Sequence, residues 1–222
     1  MTVEPRVHKG LDAVSEVVDG IREMLYSMRL LPGQPVPQES LANELGVTRG
    51  PVREALRILQ SEGLVVHGRN VGYSVKRLTG EELAQSYRMR ELFETELLSN
   101  VRPPSPEAIA ALRAANDNMS ASMLAGDVLQ ARRDNHEFHF GMYHASGLHM
   151  IVDQLERIWM STEAYRSFYI ADGLKREQIY EEHNAMIDAY EKYDVQALIE
   201  QANLHRNASA TKMAPLVGRG PR

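Results

Sequence analysis

Hydrophobic residues recur with a helical period along most of the chain. Residues 14–28 place apolar side chains at i, i+3, i+4, i+7, i+11 and i+14, which predicts an amphipathic helix. Residues 39–66 contain two shorter helical patterns, separated by Gly46, which can adopt a positive φ without a Cβ clash. The first third of the chain therefore predicts one long helix and then two short helices joined by a tight turn.

The second short helix begins with residues that favour a helix start. Thr48 is a candidate N-cap, and Pro51 lies in the first turn, where a missing N–H costs no hydrogen bond. Two short strands, residues 64–67 and 72–76, are predicted around the turn Gly68-Arg69-Asn70-Val71. This order of elements is typical of a winged helix-turn-helix.

From Gly80 onward the pattern is helical, without the alternation of a strand. Breaks rich in turn-forming residues divide this part into six segments; they lie at 102–106, 126–127, 146–147, 172–173 and 193–194. Six helices can form an all-α bundle large enough to enclose a cavity. The fold class is therefore mainly α, with an N-terminal winged helix-turn-helix domain and a C-terminal all-α six-helix bundle.

The domain boundary is expected just after the second strand. Thr79 and Glu82 have the spacing of a capping box, which predicts that a new helix begins there. We expect the winged-helix domain at residues 1–78, the all-α domain at 79–213 and a disordered tail at 214–222, which is rich in Gly, Pro and Arg.

Composition narrows the class of protein further. The 222 residues are 43% hydrophobic, which suits two domains with real cores, and the absence of cysteine excludes disulfides and thiolate metal sites. No signal-peptide pattern or membrane-length apolar run occurs, so a cytoplasmic location is expected. Although the net charge is −5, residues 49–77 hold six basic side chains against only Glu54 and Glu62.

The basic charge of this region is arranged for DNA. Arg49, Arg53 and Arg57 recur every four residues on the polar face of the second short helix, and Arg69 lies in the turn of the wing. Guanidinium groups can pair with guanine O6 and N7, and the hydroxyl of Thr48 can reach a phosphate or a base. The alternative is an ordinary solvated charged face.

The segment GVTRGPVREALRILQSEGLV, followed by a Gly-containing wing, resembles the DNA-binding domain of the GntR family of transcriptional regulators. The resemblance covers roughly the first third of the chain. It implies a homodimer on palindromic operator DNA, with Thr48, Arg49 and Arg53 contacting DNA and Gly72 of the wing approaching the minor groove. Many relatives carry an arginine at the start of the first motif helix, whereas this chain has Glu39, whose carboxylate would repel phosphate.

The candidate chemistry of the helical domain lies in its histidines. Asn135 and His139 are four residues apart on one helical face, and His183 and His205 lie on the fifth and sixth predicted helices of the bundle. Three imidazoles and an amide oxygen inside a bundle suit Zn²⁺, Ni²⁺, Mn²⁺ or Fe²⁺. The alternatives are a polar pocket in which the histidines bind a ligand directly, or histidines satisfied within the core.

The segments DNHEFHFGMYHASG, EEHNAMIDAYEKYD and QANLHRNA resemble the ligand-bearing segments of the FCD effector domain of the FadR subfamily. The expected six helices are similar to its VanR-like subgroup. In that family a carboxylate and three histidines hold a divalent metal, and a small organic acid binds beside it. The implied ligands are His139, His183 and His205, with Asn135 at the carboxylate position, because Asp134 is rotated about 100° around the helix.

Two arginines are candidates for binding the effector together with the histidines. Arg90, in YRMRELFETELL, resembles an arginine of the first effector-domain helix that can bind a carboxylate; the alternative is a salt bridge with Glu94. Arg166, on the predicted fourth helix with Trp159, is expected to line the cavity, and Trp159 can equally be a core or dimer contact.

These features predict a sequence-specific DNA-binding regulator rather than an enzyme. A small carboxylate bound in the helical domain, with a divalent metal, would control operator affinity. The alternative function is a metal-dependent enzyme that uses the three-histidine site with Glu182 as base.

Overall fold

The computed structural model describes residues 10–69, 71–171 and 175–217. The chain divides into two compact units between Arg77 and Leu78. Within the described residues, no helix is long and apolar enough to cross a membrane.

The first unit is a winged helix-turn-helix. Its elements are α1 (Gly10–Tyr26), α2 (Gln38–Glu44), α3 (Arg49–Ser61), β1 (Val65–Gly68) and β2 (Gly72–Val75). Helix α1 ends two residues earlier than predicted, and Met28 follows it with a positive φ of 61°. Gly46, in the turn between α2 and α3, has a φ of 66°, as its position between two helices requires.

Helix α1 supports the recognition half of the motif. It packs against α3, and its inward residues are buried, among them Val17, Ile21 and Leu25. The inward face of α3 consists of the buried residues Val52, Ala55, Leu56 and Leu59. The arginines of α3 lie on the opposite face of this amphipathic helix and therefore remain at the surface.

The wing is the antiparallel pair β1–β2, in which Gly68 lies opposite Gly72. The segment before α2 extends the wing, because Val36 N–H donates to the Tyr73 carbonyl and Val75 N–H donates to the Gln34 carbonyl. Gly72 has a φ of 82°, a conformation that a residue with a Cβ rarely adopts. Asn70, which was predicted to be in the wing turn, lies outside the described residues.

The second unit is all-α. Its described helices are α4 (Gly80–Ser99), α5 (Pro106–Ala125), α6 (Val128–His144), α7 (His149–Ser161), α8 (Glu163–Ala171), α9 (Arg176–Glu191) and α10 (Val195–Met213). Thr79 forms the predicted capping box with Glu82, and Gly126 ends α5 with a φ of 74°. The main core contains Leu97, Phe138 and Trp159.

The prediction of six bundle helices was wrong, because the described part of this unit contains seven. The single helix expected between the breaks at 147 and 172 is interrupted at Thr162, whose hydroxyl donates back to the Trp159 carbonyl at 3.1 Å. Such back-bonding competes with the helical pattern and bends helices. The similarity to the six-helix VanR-like subgroup therefore loses its basis.

Two further predictions concern the ends of helices. The expected disordered tail was wrong in its first part, because Ala214–Leu216 forms a 3-10 helix that continues from α10. Its last residues, 218–222, and the predicted break at 172–173 lie outside the described residues.

Candidate ligand cavity and DNA surface

Three histidines converge inside the all-α unit. His139 on α6, His183 on α9 and His205 on α10 are all buried, and each offers a ring nitrogen within 4.8 Å of the others. Their ring centroids are 4.8 to 5.1 Å apart. The three predicted metal ligands thus come together from three separate helices.

The tautomer of His183 is determined by a buried amide. The Asn116 Nδ2 group donates to the Tyr180 carbonyl and to Asn184 Oδ1, each at 3.1 Å. Because both amide hydrogens are used, Asn116 Oδ1 must accept from His183 Nδ1, 3.0 Å away. The lone pair therefore lies on His183 Nε2, a buried atom without a hydrogen-bond partner among the described residues.

His205 is oriented by a carboxylate. Its Nδ1 lies 2.7 Å from Glu182 Oε2. Although partial burial opposes it, the hydrogen bond and the electrostatic interaction with His205 lower the pKa of Glu182, so this group accepts as a carboxylate. His205 then presents Nε2 as its free nitrogen, which is the orientation that second-shell carboxylates give to metal-binding histidines.

His139 differs from the other two, because both of its ring nitrogens are buried without a partner in the described part of the chain. Burial first, and then the neighbouring His183 and His205, hold its pKa well below the ordinary value. Burial and His205 lower the pKa of His183 in the same way. Both imidazoles are therefore neutral near pH 7, the form that binds metals.

The fourth predicted ligand lies beside this cluster. Asn135 is buried and lines the same cavity as His139 and His205. Asp134 is turned elsewhere, because its carboxylate accepts from Ser122 and from Gln130. The amide, and not the neighbouring acid, is therefore the oxygen available to this site.

This donor set fits a divalent metal. Nitrogens bound to one tetrahedral ion, each at about 2.1 Å, lie about 3.4 Å apart. The three imidazoles, whose ligand atoms lie within 4.8 Å of one another, would have to close by up to about 1.4 Å, which side-chain rotation can supply. His139 and His183 are neutral and have buried ring nitrogens without a partner among the described residues. The rings of His183 and His205 are each held by a second residue, and this combination matches the chemistry of such a site.

The cluster opens into a small cavity of about 20 Å³. It combines apolar, aromatic and basic groups: Arg90, Met119, Asn135, His139, Trp159, Arg166, Tyr169, Ile170, Ile179, His205 and Ser209. The guanidinium carbons of Arg90 and Arg166 lie 4.1 and 4.2 Å from the Trp159 ring centroid. Trp159 is thus a core residue whose ring also makes cation–π contacts with both arginines.

Arg90 forms the expected salt bridge and still retains a free donor. Its Nε donates to Glu94 at 2.7 Å, and the other Glu94 oxygen accepts from Arg206 at 2.8 Å. Burial alone would raise the pKa of Glu94, but these two arginines lower it below the ordinary value. Arg90 Nη1 is buried and has no partner among the described residues.

Arg166 has a similar environment. It donates to Thr162 Oγ1 and to the Trp159 carbonyl, and it forms an ion pair with Glu163. Its Nε is buried and lacks a partner within the described ranges. Within the described residues, Arg90, Arg166 and Arg206 form ion pairs with two buried carboxylates, Glu94 and Glu163. The third buried carboxylate of this unit, Asp134, accepts from Ser122 and Gln130 instead. The three arginines therefore share two carboxylates, and a bound anion could pair with their free N–H groups.

Sequence reasoning missed the groups that hold these side chains. Asn116, Glu163 and Arg206 were not identified, and Glu182 was considered only as a base. Arg206 directly follows a predicted ligand, which was a usable signal. Asn116 lies 67 residues from His183, and no local pattern connects them.

The predicted DNA-contacting residues of the first unit lie at its surface. Arg49 is the first residue of α3, and the side chains of Arg49, Arg53 and Arg57 are more than half exposed. Thr48 occupies the N-cap position, but its hydroxyl makes no capping hydrogen bond. Arg69 is exposed in the turn of the wing. The hydroxyl of Thr48 is thus free of the capping role that its position predicted.

Together, these two units define a class of protein in which a winged helix-turn-helix unit is followed by an all-α unit. The gntR family of bacterial regulatory proteins matches residues 13–75, and the FCD domain matches residues 85–208. The chain belongs to the GntR family of transcriptional regulators with an FCD domain.

Individual relatives agree with this assignment. The HTH-type transcriptional regulator YdhC of Bacillus subtilis is 23% identical over 191 residues, 84% of each chain. McbR of Escherichia coli is 25% identical over 68% of this chain and 69% of its own. The solved structure of E. coli McbR/YncC has a TM-score of 0.79 at 20% identity, covering 92% of this chain and 98% of the other. The family and its relatives are regulators, which excludes the alternative of a metal-dependent enzyme.

Proposed function

We propose that this regulator binds a specific operator and that a small carboxylate in its helical unit controls the affinity. The observation that supports the ligand site best is the cavity, where neutral, buried imidazoles and two buried arginines offer unused polar atoms. Such convergence of polar groups in one cavity is typical of a ligand site. In a DNA-binding protein, its natural role is regulation.

The DNA contacts follow from the geometry of the motif. The second helix of a helix-turn-helix enters the major groove with its N-terminal residues at the base edges. Arg49 and Arg53 would then read bases or bind phosphate, with Thr48 beside them and Arg57 further along the helix. Arg69 and Gly72 would bring the wing to the minor groove.

The metal would be held by His139, His183 and His205, with Asn135 as an uncharged oxygen ligand. Zn²⁺, Ni²⁺, Mn²⁺ and Fe²⁺ all accept such a set. A bound ion would supply positive charge and open coordination positions for an acid. Arg90 and Arg166 would bind the same acid through their free N–H groups, in addition to the histidines.

Two further features complete the proposal. A homodimer would place two recognition helices on the halves of a palindromic operator. The operator would lie on chromosomal DNA, so the regulator would act in the cytoplasm. Binding of the acid would change the population of DNA-competent arrangements, which is the physical content of allosteric control.

Selection from a random duplex library with the purified protein tests the DNA function. We expect a palindromic sequence, and we expect Arg53→Ala to lose roughly 1–3 kcal/mol of binding to it. Arg88→Ala is the control, because Arg88 is an exposed helical arginine in α4, paired with Glu91. Recovery of no common sequence, or an equal loss in both variants, would contradict the proposal.

A further inference from the structure

The structure points to a role for Glu39 in operator specificity, which we propose here and which rests on the proposed DNA function. Its carboxylate orients Arg49 for reading a base, and it also weakens binding to DNA of unrelated sequence.

The two residues connect the helices of the motif. Glu39 lies in the first turn of α2, Arg49 is the first residue of α3, and Arg49 Nη2 is 2.7 Å from Glu39 Oε1. Both side chains are about two-thirds exposed, at 71% and 66%. An ion pair so exposed contributes little to the stability of the fold, so its consequence lies in what the pair does at the DNA.

Orientation is the first consequence. A guanidinium has five N–H donors in a fixed plane, and Glu39 engages those at one end of Arg49. The remaining donors stay free and held in one direction, so they can pair with guanine O6 and N7. Loss of water from the interface strengthens the Glu39–Arg49 pair, because the local dielectric constant falls.

Charge is the second consequence. Arg53 and Arg57 both lie near Glu54, at 3.7 and 3.2 Å, so the three arginines of α3 face two carboxylates. Sequence-independent affinity comes from the positive charge that neutralises phosphates. A surface whose arginines are partly neutralised gains less from phosphate alone and depends more on matched bases.

Helix α2 also supplies a matched control. Glu44, at its other end, forms an ion pair with Arg29, which is not on the recognition helix. Replacing Glu44 or Glu39 by glutamine removes the same charge from the same helix. Only the change at Glu39 releases a residue of α3.

The experiment uses the full-length protein and two duplexes: the sequence that the native protein recovers from a random library, and a scrambled duplex of the same composition. Affinity for both is measured across a salt series for the native protein, Glu39→Gln, Glu39→Ala and Glu44→Gln. All these positions are exposed, and circular dichroism checks that each variant is folded.

We expect both Glu39 variants to bind the scrambled duplex several-fold more tightly, with a salt slope steeper by about 0.9 per subunit. The ratio of selected to scrambled affinity should fall by about tenfold or more, and Glu44→Gln should leave it unchanged. If Glu39→Ala leaves the ratio of selected to scrambled affinity unchanged, or if Glu44→Gln changes it equally, this inference is overturned while the proposed function still stands. If the native protein recovers no sequence, the proposed function fails, and this inference fails with it.

Discussion

At the scale of single residues, the histidine cluster depends on groups that hold the imidazole rings in place and are not themselves candidate ligands. Asn116 fixes the tautomer of His183, because its amide hydrogens are already committed to Tyr180 and Asn184. Glu182 has the same role for His205. The three histidines could be predicted because the segments that carry them resemble the FCD domain, whereas their spacing on helices would not have been enough. The sequence could not predict Asn116, because that contact arises from the packing of α5 on α9.

Asn116 therefore offers a test of the metal site that leaves the ligands in place. Asn116→Ala should weaken metal binding about 10- to 100-fold, because His183 loses the partner that orients its ring. The measurement is metal content and competition with a chelator. Asn118→Ala, an exposed position on the same helix, is the control. Equal affinity in the two variants would argue against an orienting role.

Glu94 allows a test of the buried charges through pH. The pKa of Glu94 in the folded protein is lowered, so its ionised form stabilises the fold fully above the ordinary carboxyl pKa, and this contribution is lost progressively as pH falls below that value and through the lowered folded pKa. Glu94→Gln leaves Arg90 and Arg206 without their shared partner and should cost about 3–5 kcal/mol at pH 7. Urea unfolding, repeated at decreasing pH from 7 to 3, measures the free energy of unfolding of both proteins, and the difference between them should shrink as pH falls. If that difference does not change with pH, Glu94 is not the ionised partner of the two arginines.

At the scale of elements, local signals predicted most helix boundaries. Thr79, Ser105 and Asp127 each cap a helix through a side chain, and Gly126 ends α5. The division between α7 and α8 escaped prediction because it has no Gly or Pro. It depends on Thr162, whose hydroxyl also accepts from Arg166 at 2.7 Å. Thr162 at the helix break thus contacts Arg166, a residue that lines the cavity, and this contact could not be predicted from local sequence.

Thr162→Val tests whether this break positions Arg166. The change keeps the side-chain volume but removes the hydroxyl, leaving one Arg166 donor unpaired, so it should cost about 1–3 kcal/mol of stability. Binding of small acids should weaken with it, and calorimetry measures both effects. Thr211→Val is the control, because the Thr211 hydroxyl donates to the Asn207 carbonyl at an exposed position of α10. A response equal to that control would mean that Thr162 does not hold Arg166 for ligand binding.

At the scale of the whole molecule, the sequence predicted two chemically different units and a division close to Arg77. The first carries basic residues on an exposed recognition helix, and the second encloses a cavity that is lined by two buried arginines, Arg90 and Arg166. The pairing of these arginines could not be predicted from the sequence, because it depends on which acidic residues are buried beside them. A ligand can change DNA affinity only to the extent that it binds two states of the molecule unequally.

The most direct test of this account is the Kd for the selected duplex with and without a bound acid. The acid is chosen from a panel of small mono-, di- and tricarboxylates by thermal shift, and His183→Ala is measured alongside. We predict that the saturating acid changes the Kd of the native protein by about 5- to 150-fold, whereas His183→Ala binds the duplex normally and does not respond. An unchanged Kd at saturating acid in the native protein would contradict the account.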